Sequence, residues 1–131
     1  MENNYKLEII SPEKIIFSDE VAMVTIPSYE GDMSILKQHI SIITFLRPGI
    51  IKVKKTLDQN EDFFVEDGII EFYKDNLSIL STSAINLKKL PESYLKNISK
   101  NALEKLKTGN LTDEENYLLN CKLDVIKGVS A

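Results

Sequence analysis

The chain has 131 residues, 43% of them hydrophobic and 27% charged, with a formal net charge of −4. These values fit one ordinary globular domain, or a domain with a short appendage, and exclude a disordered tail. The acidic balance also excludes a nucleic-acid binder, which needs clustered Lys and Arg against phosphate; Lys and Arg number 10 against 14 Asp and Glu in residues 1–90, and 6 against 6 in residues 91–131.

Met-Glu-Asn-Asn opens the chain without the basic-then-apolar pattern of a signal peptide, and no apolar run is long enough to span a bilayer, so a cytoplasmic protein is expected. Residues 1–82 read as short strands. Tyr5, Leu7 and Ile9 alternate with their neighbours, as in a strand with one buried face, until Pro12. Ile15-Ile16-Phe17 forms a second apolar piece, and Val21 to Ile26 a third, which Pro27 should halt because it cannot donate a ladder hydrogen bond. Glu30-Gly31-Asp32 is a turn signal before Met33–Leu36. Ile40 to Leu46 follows, then an Arg47-Pro48-Gly49 turn, a strand over Ile50–Leu57, and a polar tip over Asp58–Asp62. Phe63–Val65, Ile69–Tyr73 and Leu77–Leu80 complete the set, separated by Asp67-Gly68 and by Lys74-Asp75-Asn76. About eight short strands with no intervening helix predict an antiparallel sandwich or barrel rather than a parallel sheet.

After residue 90 the period changes. Pro91 suits the first turn of a helix, and Leu95, Ile98, Ala102 and Leu106 then recur at three- and four-residue spacing up to Gly109. Thr112 with Glu115 forms a capping box ahead of a helix whose stripe is Leu118, Leu119, Val125, Ile126 and Val129. The predicted architecture is mainly β with α: a sandwich over residues 1–86 and an antiparallel two-helix hairpin over residues 87–131.

Catalytic chemistry is sparse. His39 is the single histidine and no nucleophile elbow accompanies it, while Cys121 and His39 alone do not make a zinc site. Cys121, in a helical setting, reads as a small hydrophobe. No phosphate-cradling loop is present, and the adjacent acidic pairs Asp19-Glu20, Glu61-Asp62 and Glu66-Asp67 point to opposite faces of their strands. From residue chemistry alone this is a binding or structural module; a hydrolase built on His39 is the enzymatic alternative.

Four blocks in order carry a family resemblance. Leu7-Glu8-Ile9-Ile10-Ser11-Pro12-Glu13 opens the chain; Pro27 to Leu36, then His39 and Arg47-Pro48-Gly49, follow; Phe64 to Phe72 and Asn76 to Leu80 come last. Together with the hairpin they resemble the epsilon subunits of F-type ATP synthases over nearly the whole chain. Gln38 stands where that family has glycine, Ser41 where it has proline, and Asp67 where it has the first of two glycines.

The resemblance implies a non-catalytic rotor subunit of the central stalk, coupling proton translocation to ATP synthesis at the cytoplasmic face of a bacterial inner membrane, without cofactor. The implied partners are the gamma subunit, the polar loops of the c-ring and, through the hairpin, the catalytic head. For the c-ring contact the implied residues are Glu30, Asp32 and His39. The gamma contact is expected among Met33, Leu36, Ile42 and Phe45, because that stretch is almost unbroken apolar sequence. Some family members bind ATP through a motif of the form [IL]-D-x-x-R-A; here Ile85, Asn86, Lys89 and Leu90 replace it, so no ATP binding is expected. Inhibitory members present a basic second helix, whereas from Thr112 onward this chain has two Lys against four acids, so a weakly regulatory hairpin is expected. A free-standing adaptor sandwich with an autoinhibitory hairpin is the alternative.

Overall fold

The computed structural model describes residues 3–56 and 59–130, so Leu57 and Asp58 of the expected strand end and tip lie outside the described residues. Two compact units result, Met1–Lys88 and Lys89–Ala131.

The first unit holds ten strands: β1 (Tyr5–Ile10), β2 (Ile15–Val21), β3 (Met23–Ser28), β4 (Gly31–Leu36), β5 (Ile42–Leu46), β6 (Gly49–Thr56), β7 (Gln59–Val65), β8 (Gly68–Tyr73), β9 (Asn76–Leu80) and β10 (Ile85–Asn86). Hydrogen bonding orders them β10-β7-β6-β3-β5-β8-β9-β1-β2, with β4 on the side of β3. The ladder folds back at one residue pair, Ser28 with Leu46, giving a sandwich of β10-β7-β6-β3-β4 against β5-β8-β9-β1-β2. Inward residues of both halves share one core, including Tyr5, Leu7, Ile9, Val24, Ile26, Ile35, Phe63, Ile70, Phe72 and Ile79. Tyr5 meets Phe72 edge-on at 5.4 Å, and its hydroxyl crosses the core to donate to the Ile35 carbonyl at 2.6 Å. Near the far edge the halves approach again: the Ala22 amide donates to Lys54 O at 2.8 Å, and Lys55 reaches Asp19 at 3.0 Å. Asp19 is held below its ordinary carboxylate value chiefly by that hydrogen bond from Lys55.

Several sequence expectations change. All pairings are antiparallel except β1 with β9, which run parallel, because the chain returns to β1 only after the whole intervening meander. Val21 ends β2, and β3 continues through Pro27 to Ser28. Proline is tolerated there because Pro27 lies opposite Asp32 and needs only its carbonyl, which accepts from the Arg47 amide at 2.9 Å. The turn is Tyr29-Glu30, so Gly31 and Asp32 already belong to β4. Gln59 to Asp62 form ladder pairs with β6 instead of a loop. Gly49 explains its own identity, since a Cβ there would lie 2.5 Å from the Pro27 Cβ.

In the second unit, a 3₁₀ turn at Leu87–Lys89 in the preceding segment leads to α1 (Glu92–Thr108) and α2 (Asp113–Ser130). Pro91 is the N-cap of α1, extended at φ −69° and ψ 145°, rather than a first-turn residue. Gly109 ends the helix at φ 74°, the left-handed conformation glycine adopts without strain. The capping box forms reciprocally: Glu115 N donates to Thr112 Oγ1 at 3.1 Å, and Thr112 N to Glu115 Oε1 at 3.2 Å. Leu95 and Ala102 of α1 and Leu119 and Ile126 of α2 are buried, and the two helices pack on one another. Cys121 is a half-buried free thiol.

Candidate docking face

A half-buried strand sends alternate residues outward, so two adjacent apolar residues cannot both reach the core. Five strands of β5-β8-β9-β1-β2 carry such a doublet: Phe45-Leu46, Ile69-Ile70, Ile79-Leu80, Ile9-Ile10 and Ile15-Ile16. Register aligns the outward member of each. Phe45 pairs with Ile69, Ile69 with Leu80, Leu80 with Ile10, and Ile10 with Ile15. A bulge between Ile9 and Ile10 brings Ile15 opposite Ile10 and leaves Ile16 turned toward the core. The result is an apolar row crossing five strands, about 19 Å long at a strand spacing of roughly 4.8 Å. Phe45 is 59% exposed, Ile15 59% and Leu80 49%. Beside the row lies an open groove of about 530 Å³, walled also by Pro12, Tyr29 and Gly68. Large outward apolar residues aligned in this way mark a surface for another chain.

The Tyr29-Glu30 turn sits at the same end of the sandwich. Ser28 Oγ donates to the Gly31 carbonyl at 2.8 Å, and the Tyr29 amide reaches Phe45 O at 3.3 Å. Asp32 is bound by Arg47 Nη2 at 2.6 Å, so its charge is already compensated within the chain. A second set of hydrogen bonds braces the groove wall: Ser81 Oγ donates to Asp67 O at 2.7 Å, and the Glu66 amide to Ser83 Oγ at 2.9 Å.

The residues expected from sequence are therefore divided. Glu30, Asp32 and Phe45 gather at this end. His39 follows β4 while Glu30 precedes it, which puts them at opposite ends of a six-residue strand, about 20 Å apart. There the His39 ring meets Phe72 edge-on at 6.0 Å, and Nδ1 donates to the Ile40 carbonyl at 2.8 Å. Leu36 is exposed but pairs with Met23 on the outer face of the other half. Met33 and Ile42 turn inward and pack against the core. Ile10, Ile15, Ile69 and Leu80 were not anticipated; the aligned doublets are the signal that identifies them. Ile85 and Asn86 form β10, and the Asn86 carboxamide accepts from the Lys88 amide at 2.9 Å, while Lys89 begins the second unit. No group of three His, Cys, Asp or Glu that could hold a metal occurs among the described residues.

Comparison with known proteins adds an independent line. Residues 4–87 match the family described as the ATP synthase delta/epsilon chain, beta-sandwich domain. A Pelagibacter ubique protein named ATP synthase epsilon chain is 43% identical over 97% of this chain and 98% of its own. The Chelativorans protein of the same name is 33% identical over 72% of this chain and 70% of its own. By fold, the chain resembles one in the Euglena gracilis mitochondrial ATP synthase OSCP/F1/c-ring structure at TM-score 0.71 and 19% identity, covering 95% of this chain and 78% of that one. A chain of the Tetrahymena thermophila mitochondrial ATP synthase central stalk and c-ring gives TM-score 0.64 at 13% identity, with 96% of each covered.

Proposed function

Since the chain belongs to the ATP synthase delta/epsilon family, we propose that it is the epsilon subunit of a rotary ATP synthase, a rotor part that transmits torque and catalyses no reaction itself. The observation that carries the reading is the apolar row, which lies on a sheet matched by the family over residues 4–87. An unpartnered aligned row of this length suits a stable neighbour in a permanent complex better than a transient ligand.

In this reading the gamma subunit covers the outer face of β5-β8-β9-β1-β2, with Phe45 as the member of the expected contact set that lies on it. Met33 and Ile42 hold the core behind that face and Leu36 is left to other contacts. Glu30 serves the c-ring contact, supported by its place on a protruding two-residue turn, and Asp32 braces that turn through Arg47. His39 belongs to the opposite end and is assigned a packing role against Phe72. The subunit works peripherally, on the cytoplasmic side of a bacterial membrane; no helix among the described residues is long and apolar enough to cross one. The Ile85–Leu90 segment does not bind ATP, because Asn86 has no charge to orient a partner and Lys89 lacks the planar fork of arginine. Titration calorimetry with millimolar ATP should give no binding heat; micromolar affinity would overturn that assignment.

The central test is co-purification of the full chain with its gamma subunit. Wild type should be retained, whereas Phe45→Asp and Leu80→Asp should lose at least about tenfold in affinity while keeping wild-type circular dichroism. Unchanged retention of both variants would sink the reading. Glu30→Lys should lower ATP-driven proton pumping per ATP hydrolysed, and an unchanged ratio would remove Glu30 from the c-ring contact.

A further inference from the structure

One border of the apolar row carries acids. One step along the strands, on the same outer face, register sets Ile43 opposite Glu71, Glu71 opposite Ser78, Ser78 opposite Glu8, and Glu8 opposite Ser18. Glu8 and Glu71 thus lie two strands apart, about 10 Å at the usual spacing, and roughly 7 Å from the row. Their cross-strand neighbours are serines and an isoleucine, and neither makes an ion pair among the described residues. The next line of the face pairs Lys6 with Glu20 and with Asn76, so its cation already has an acid opposite it. Lys74 stands beyond, over the Tyr73 ring at 5.2 Å. The border nearest the apolar row therefore carries two uncompensated carboxylates.

We infer, building on the gamma-binding role proposed above, that the gamma segment seated on this face is an apolar stripe edged on one side by Lys or Arg side chains that meet Glu8 and Glu71. Covering two carboxylates with an apolar partner would desolvate them without compensation, a cost that opposes docking. A basic edge removes that cost by setting cations against Glu8 and Glu71 while the row fills with side chains. Opposite charges at an interface act mainly on the association rate and on register, whereas the buried apolar anchors govern dissociation.

The experiment measures association and dissociation of the full chain with the gamma-containing catalytic core lacking its own epsilon subunit, across 50–500 mM salt. Wild-type association should slow about tenfold over that range. The double variant Glu8→Gln with Glu71→Gln should associate roughly threefold to tenfold more slowly at low salt with a flattened salt dependence, its dissociation rate nearly unchanged. Glu71→Lys should lower the association rate further. If the double variant keeps wild-type association and salt dependence while Phe45→Asp abolishes binding, the basic edge is wrong and the docking face stands. If Phe45→Asp and Leu80→Asp bind like wild type, the docking face itself is wrong and the inference falls with it.

Discussion

Gln38 shows how a single residue records a conformational demand. Its φ of 67° lies in the left-handed region, where a side chain costs about 1–2 kcal/mol. The strain is held by the Gln38 amide, which donates to Asp75 Oδ1 at 2.7 Å. Gln38→Gly removes the strain and loses roughly 0.5–1 kcal/mol of backbone entropy, so a net gain of about 0.5–1 kcal/mol is expected. Thermal denaturation should show a rise of a few degrees; a fall would mean the residue is not strained. Tyr5 offers a residue-scale test of the core. Burial pushes its phenol well above the ordinary value of about 10. A raised folded-state value means the stabilising contribution is complete below about pH 10 and is lost as pH climbs beyond it, because the unfolded chain ionises first. Stability measured by urea unfolding should therefore drop between pH 10 and 11 more steeply in wild type than in Tyr5→Phe. Equal slopes would place the alkaline loss elsewhere.

At the scale of elements, the capping box is the feature the sequence states most completely, because both partners are local and three residues apart. Thr112→Ala should cost about 1 kcal/mol of α2 stability and speed amide exchange at residues 113–116, leaving the strands unaffected. Exchange unchanged in that turn would show the cap to be redundant. The strands were legible by alternation, yet their grouping was not. Met33–Leu36 and the piece from Ile40 to Leu46 were legible as two runs, but not their faces: residues 37–41 reset the parity between them, so Met33 and Ile42 both face inward and Phe45 faces out. Likewise Glu30 and His39 seem neighbours in sequence, while an intervening strand carries them to opposite ends. Local period fixes which residues alternate; only pairing between distant strands decides which outward residues become neighbours. That is why the row of Phe45, Ile69, Leu80, Ile10 and Ile15 emerges from the register, although each doublet is visible in the sequence. The parallel contact of β1 with β9 was hidden for the same reason, since nothing within either strand specifies a partner some seventy residues away.

For the whole molecule, the question that follows is what the helical unit contributes to the rotor. The family resemblance implies that a hairpin restraining hydrolysis would present a basic second helix to an acidic catalytic surface. Here α2 opens with Asp113, Glu114 and Glu115 and carries Asp124 farther on, against Lys122 and Lys127, a balance of 2 − 4 = −2. The acids in its first turn suit the positive end of the helix dipole and so stabilise the helix itself. The same charges would meet an acidic surface as like to like, which costs free energy on docking and slows approach. In α1, Lys96, Lys100, Lys105 and Lys107 stand against Glu92 and Glu104, a balance of 4 − 2 = +2, and Lys105 and Lys107 lie in its last turn, where they suit the negative end of the helix dipole. Each unit has a core of its own, one with Tyr5, Leu7 and Phe72 and the other with Leu95, Ala102, Leu119 and Ile126. Truncation after Leu90 in the assembled synthase should leave retention by gamma intact and change ATP hydrolysis by less than about twofold, because a helix of net −2 gains little from an acidic neighbour. A many-fold rise in hydrolysis on truncation would show that contacts other than charge hold the hairpin against the catalytic head, and would return it to a regulatory role.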